Sequence, residues 1–408
     1  MIQHNFKLIL TFIFSINILL FSNFEKDFQT QLILVETGGI IKIPSGEFEI
    51  KGTLSIEGKN NITIEGNDMN NSILSFINQE DGAEGLRVIN CKNITLKNFT
   101  AQNTKGDGIK AQDTDIIYFY NVKTEWTNGP KPTNGSYGIY PVQCSNILID
   151  GCIAIGASDA GIYVGQSKNI IVKNCEAFHN VAGIEIENST NADVFDNYAH
   201  DNTGGILVFD LPDLEVKDGH NIRVYNNLVK DNNLFNFAPP GNIVGTVPAG
   251  TGIMVLATSG VEIFENDIID NKTVGTAVVS YFITEDPILD SLYNPYTSSI
   301  YIHDNKFERK PQIPTLKHEI GQLMFLKFWK DVPEIVYDGN PDPQYIDSKG
   351  KIINENRFCI ENNNNAEFLN LDINNNFTNW YTPFFTSFSQ DESSFTCRLP
   401  RISPTILK

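Results

Sequence analysis

An all-β solenoid of stacked parallel strands is the fold class this sequence predicts, on three observations. Gly161, Gly183 and Gly205 stand 22 residues apart and each opens a Gly-Ile pair, and Asn169/Asn191 and Asn180/Asn202 keep the same step. Short runs of alternating apolar residues recur at that interval, among them NITIEG (61–66), NITLKN (93–98), NILIDG (146–151), NIIVKN (169–174) and NIRVYN (221–226). No helical period separates these runs, so nothing crosses back over a sheet, and the strands stack on their own repeats.

In such an array equivalent residues lie one above another at the spacing of neighbouring strands, about 4.8 Å. A repeat of 22 or 23 residues fits three short strands and three turns, and matching registers occur near Asn61, Asn93, Asp115, Asn146, Asn169, Asn191, Asn221, Gly260 and Ser299. About nine coils are expected over 38–309. Asn at the strand entrances suits left-handed turn geometry and can bond to the coil above. Longer segments break the period at 124–135, 210–220, 232–250 and 284–298, and such insertions gather as loops on one face, often the binding face.

The ends read differently. Leu8 to Phe21 is an apolar run preceded by Lys7, with no acid before Glu25, so residues 1–23 are read as a signal peptide, with a retained anchor as the alternative, and the protein as exported, periplasmic or extracellular. After Lys310 the repeat stops; 314–329 reads as one amphipathic helix, and 310–408 as a cap over the open end of the array. Of six cysteines, Cys152 and Cys175 share a place in the repeat and read as an interior stack, while Cys359 and Cys397 are expected to be bridged and to clamp the cap. A net charge of −19 argues against nucleic acid and anionic lipid as partners.

If the Ile after each Gly points inward, the next residue points out. That outward column reads Lys110, Tyr140, Tyr163, Glu185, Leu207, Met254, and the column two residues on contributes Gln112, Gly165, Glu187 and Phe209. The first joins a Lys, two Tyr and a Glu, the residue types that acid–base work on a sugar requires. A solvated face with an aromatic ladder is the competing reading.

The segments YGIYPVQ, SDAGIYVGQS, AGIEIENS and GGILVFDLP resemble those of an uncharacterised exported β-helix family of bacteria. More broadly, residues 38 to 308 resemble the right-handed parallel β-helix proteins that include pectate lyases, alginate lyases and mannuronan epimerases. The resemblance implies a right-handed parallel β-helix that binds a polysaccharide and processes it in the lyase or epimerase manner. In that reading Lys110 is the base and Tyr140 or Tyr163 the acid. Gln112, Glu185, Glu187 and Phe209 bind substrate, and a calcium ion held by Glu185 and Glu187 neutralises a uronate carboxylate. The epimerase frame Tyr-Gly-Ile/Phe-Asp-Pro-His is kept in Tyr137–Val142, but Tyr140 replaces the Asp and Val142 the His. The narrower family travels beside a secreted c-type cytochrome, which leaves a second reading: a non-catalytic scaffold, expected to be monomeric, that docks such a partner.

Overall fold

Each coil of the chain lays down three short strands and returns one strand-width higher. The computed structural model describes residues 24–408 apart from 365 and 380, so the expected signal segment lies outside the described residues. All strand pairings between coils are parallel, and they build sheets of eleven, ten and eleven strands. Coil 1 runs through Ile40–Ile43 (first sheet), Gly46–Glu49 (second) and Leu54–Glu57 (third). Coils 2 to 11 enter the first sheet at Asn60, Lys92, Asp115, Ser145, Lys168, Thr190, His220, Ser259, Ser298 and Phe358. The protein is a right-handed parallel β-helix, longer than the nine coils expected.

The interior is a stack of like residues. Ile162, Ile184 and Ile206 pair across coils 5 to 7 of the third sheet and are fully buried. Cys152 and Cys175 are buried where the first sheet turns into the second. From coil 7 the same turn carries Asn197, Asn227, Asn266, Asn305 and Asn363; the Asn197 oxygen accepts from the Cys175 N–H, and each later oxygen accepts from both the backbone N–H and the side-chain amide of the Asn in the coil before. Asn180, Asn202, Asn232 and Asn271 form a second such ladder. A buried turn has backbone donors that no strand satisfies; the Asn side chain repeats at the coil spacing and satisfies them.

The entrance register differs from expectation at one coil. Asn61, Asn93, Asn146, Asn169, Asn191, Asn221, Gly260 and Ser299 all have positive φ, but in coil 4 the residue so placed is Ile116 (φ 62°), not Asp115. A β-branched side chain is disfavoured in the left-handed region. Here it also interrupts an exterior amide ladder, in which Asn93 bonds Asn61 and Asn169 bonds Asn146. Asp115 stands in, accepting from Asn146 Nδ2 at 2.8 Å. Ile116→Asn is expected to stabilise the fold by about 1 kcal/mol through relief of that backbone strain. Urea unfolding checks this, and a midpoint below wild type would refute it.

Both ends are closed. Helix α1 (Phe24–Leu34), not anticipated from the sequence, buries Phe28 and Leu32 on the first coil, with Phe24 stacked on Phe48. Its Glu25 accepts from the Lys51 and Gly52 amides. The helix expected over 314–329 is confined to α2 (Glu319–Phe328). Residues 310–408 also rejoin the solenoid: Ile335–Tyr337, Phe358–Glu361 and Phe368–Asn370 extend its sheets. A disulfide joins Cys359 to Cys397. No helix among the described residues is long and apolar enough to cross a membrane.

Candidate functional site

The outer face of the third sheet changes chemistry along its length. Arg87, Lys110, Tyr140, Tyr163, Glu185, Leu207, Met254, Ala277 and Val336 follow one another in register from coil 2 to coil 10. Cations come first, then aromatics, then an acid, then apolar residues. Beside them run Gln112, Val142, Gly165, Glu187, Phe209 and Leu256. Gly165 is required here: a Cβ at this position would meet the Tyr163 ring at 2.4 Å. The ring lies over the glycine, and its hydroxyl donates to Glu187 Oε1 at 2.6 Å.

From coil 5 upward this face is not open to solvent. Tyr163, Leu207 and Phe209 belong to a second hydrophobic cluster with Phe237, Val247, Tyr293 and Met324, contributed by the long insertions and by α2. Asn242 of one insertion donates to Asp159 Oδ2 at 2.8 Å, and Tyr293 of another donates to the Asp210 carbonyl. Tyr163, Glu185, Glu187 and Phe209, expected to meet substrate, are therefore buried; Glu185 is 1% exposed. An outward strand position is not a solvent position when the insertions at 232–250 and 284–298 fold back over it. Of the expected site only Lys110, Gln112 and Tyr140 remain half-exposed, joined by Arg87 and Tyr137. The frame residue Val142 is buried. The 124–135 segment, expected as an inserted loop, is only partly one: it begins within the strand Lys123–Glu125, and Trp126 is buried with its Nε1 donating to the Thr104 carbonyl.

Behind the aromatics lies an acidic cluster under the covering loops. Both Glu185 oxygens are buried without a hydrogen-bond partner. Burial, then Asp159 and Glu187, push its carboxyl well above the carboxylate range. Glu187 is raised to about 7 by burial, against the Tyr163 hydroxyl. Asp159 is raised to about 7 by burial and by Glu187. Asp107, beside Lys110, rises to about 6, again from burial. Tyr137 packs between Tyr140 and Tyr163 at 4.5 and 4.3 Å, and Lys110 Nζ stands 5.2 Å from the Tyr140 ring centre. Desolvation raises all three phenols, so each stays a protonated donor. Among the described residues no three His, Cys, Asp or Glu side chains gather as a metal ion requires, and Glu185 and Glu187, expected to hold calcium, are buried with their carboxyls raised.

Tyr137, Asp159 and Asp107 escaped the sequence reading because it followed only the residues after each Gly-Ile. Their signal was on the other side of it, in Asp107-Gly108-Ile109 and Asp159-Ala160-Gly161. Past Phe209 the face becomes an apolar cleft of about 1000 Å³ between the sheet, α2 and the C-terminal segment, with Met254, Leu256, Val279, Leu323 and Phe384 on its walls.

Comparison with known proteins agrees with this architecture. Residues 84–233 match the family described as a right handed beta helix region. No curated protein matches the chain. Among solved structures, the A-module of mannuronan C-5 epimerase AlgE4 from Azotobacter vinelandii is 13% identical, with 80% of this chain and 86% of that one covered and a TM-score of 0.46. An alginate lyase from Paenibacillus is 12% identical over 70% and 92%, with a TM-score of 0.45. A family 28 exopolygalacturonase from Yersinia enterocolitica is 12% identical over 84% and 66%, with a TM-score of 0.43.

Proposed function

We propose that this is an exported β-helix that binds an anionic polysaccharide across coils 2 to 4 of the third sheet. One observation carries the reading: Arg87 and Lys110 stand in register beside the half-exposed Tyr140, and neither cation has a salt-bridge partner among the described residues. Two cations outside any ion pair, with only the carboxyl of Asp107 near Lys110, suit, beside an aromatic face, a sugar that carries a carboxylate, with the ring for stacking and the charges for the acid group. In a chain of net charge −19 such a pair is a local exception, so it supplies selectivity that the overall charge opposes.

The finer part of the proposal is chemical. Tyr140 supplies the protonated donor that elimination or epimerisation of a uronate needs, and Lys110, charged while it pairs with the carboxylate, acts as the base only in its neutral form. Tyr163, held from behind by Glu187, is a positioning residue for the aromatic trio.

Titration calorimetry with oligouronates and matched neutral oligosaccharides tests the reading. Arg87→Ala with Lys110→Ala should weaken uronate binding at least about tenfold, as loss of charge-assisted contacts does. Tyr140→Phe should leave binding intact yet cut any turnover about 100-fold, whereas Tyr140→Ala should lose both. Wild-type protein that binds no oligouronate, or a double variant that binds as well as wild type, would end the proposal.

A further inference from the structure

The outer face of the first sheet carries its own polar track. Leu148, Ile171, Asp193, Arg223, Glu262, Tyr301 and Cys359 follow in register from coil 5 to coil 11. Next to it Phe195, Tyr225, Phe264 and His303 stack ring on ring, with centres 4.8, 4.8 and 5.2 Å apart. Along this face the last eleven residues run back from coil 11 toward coil 4. Arg398 Nε donates to both Glu361 oxygens at 2.7 and 2.8 Å. Arg401 donates to Glu262 Oε1 at 3.0 Å, with its guanidinium 5.2 Å from the Phe264 ring centre. The Ile402 amide donates to Glu262 Oε2, Thr405 donates to Asp193, and Tyr118 donates to the Lys408 carbonyl.

Two features separate this segment from ordinary packing. Its spacing fits the track: Arg398 and Arg401 are three residues apart and engage coils 11 and 9. Three residues of polyproline-like chain advance about 9.3 Å, against about 9.6 Å for two coils. Pro400 and Pro404 hold the segment extended and keep it from pairing as a strand. Burial is also one-sided. Glu262, Asp193 and His303 are buried, whereas no residue from 398 to 408 is, and Ile406 is 83% exposed. The tail itself covers part of Glu262, His303 and Asp193 and lies on the sheet through charge and hydrogen bonds.

We propose that the outer face of the first sheet, between coils 7 and 11, is a recognition groove for an extended peptide with two arginines three residues apart, and that residues 398–408 fill it in cis as a displaceable strap. A partner for this face offers a basic extended segment of that spacing. The strap sets the threshold it must exceed, because a short tether holds its own occupant at about millimolar effective concentration.

The test uses the full chain with Arg398→Glu and Arg401→Glu, which reverses the strap's charges at exposed positions, and a fluorescent peptide of residues 398–408. The charge-reversed chain should bind the peptide below about 1 mM and at least tenfold more tightly than wild type, whose groove is already filled. Adding Glu262→Gln, or replacing the peptide's first or second arginine with alanine, should weaken binding at least tenfold, and binding should fall with salt. Thermal unfolding of each variant establishes that the solenoid is intact. A folded charge-reversed chain that fails to bind, equal binding by wild type and variant, or indifference to Glu262→Gln would overturn the proposal.

Discussion

Ile184→Asp is expected to be the most damaging single substitution in the solenoid. Ile184 is fully buried between Ile162 and Ile206, with coils pressing on it from both sides along the stack. A carboxylate there has no cation and no hydrogen-bond donor above or below, and burying it unpaired costs several kcal/mol. Against a total stability of roughly 5–15 kcal/mol for a folded protein, that loss melts the central coils or the whole chain. Denaturant unfolding followed by circular dichroism measures it. A variant within about 1 kcal/mol of wild type would contradict a dry, apolar stack at coil 6.

The second large effect is a fall in stability as pH rises across neutrality. Glu185, Glu187 and Asp159 all titrate above their ordinary values because burial disfavours the charged form. A carboxyl that titrates higher in the folded chain than in the unfolded one holds its proton more tightly when folded. Its contribution is therefore complete below the unfolded value of about 4.5 and is lost as pH climbs through the folded value. For Glu187, raised from 4.5 to about 7, the loss is about 3 kcal/mol at roughly 1.4 kcal/mol per pH step. The unfolding midpoint should drop between pH 5 and pH 8. In Glu185→Gln with Glu187→Gln the curve should flatten and lie above wild type at pH 8. A wild-type curve that stays level to pH 8 and drops on adding a chelator would instead place a bound cation in the cluster.

The stack was legible in the sequence because it repeats. The Gly-Ile step located Ile162, Ile184 and Ile206 and the correct inward face, and the recurrence of Asn180 and Asn202 marked what is now a buried ladder. The entrance register was one residue off in coil 4, since Asp115 resembles the neighbouring Asn residues more than the strained Ile116 does. That inserted loops gather on one face was legible, but not that they land over Tyr163, Glu185 and Phe209. Segments 232–250 and 284–298 carry no period, so their landing place depends on tertiary contacts such as Asn242 with Asp159. α1 was missed although Phe24, Phe28 and Leu32 are spaced by four, a helical step hidden beside the apolar run before it.

The crossing tail has a consequence in time as well as in space. Each coil needs only the coil before it as a template, so the array can be laid down in order as the chain emerges from the ribosome. Residues 398–408 are made after every strand of the array, yet they touch coils whose strands were made far earlier; Tyr118 and Lys408 are 290 positions apart. Their docking reports that every intervening coil is in register, because a skipped or slipped coil would move Glu262 and Asp193 away from Arg401 and Thr405. A solenoid assembled piecemeal thereby ends with a step that proofreads its length.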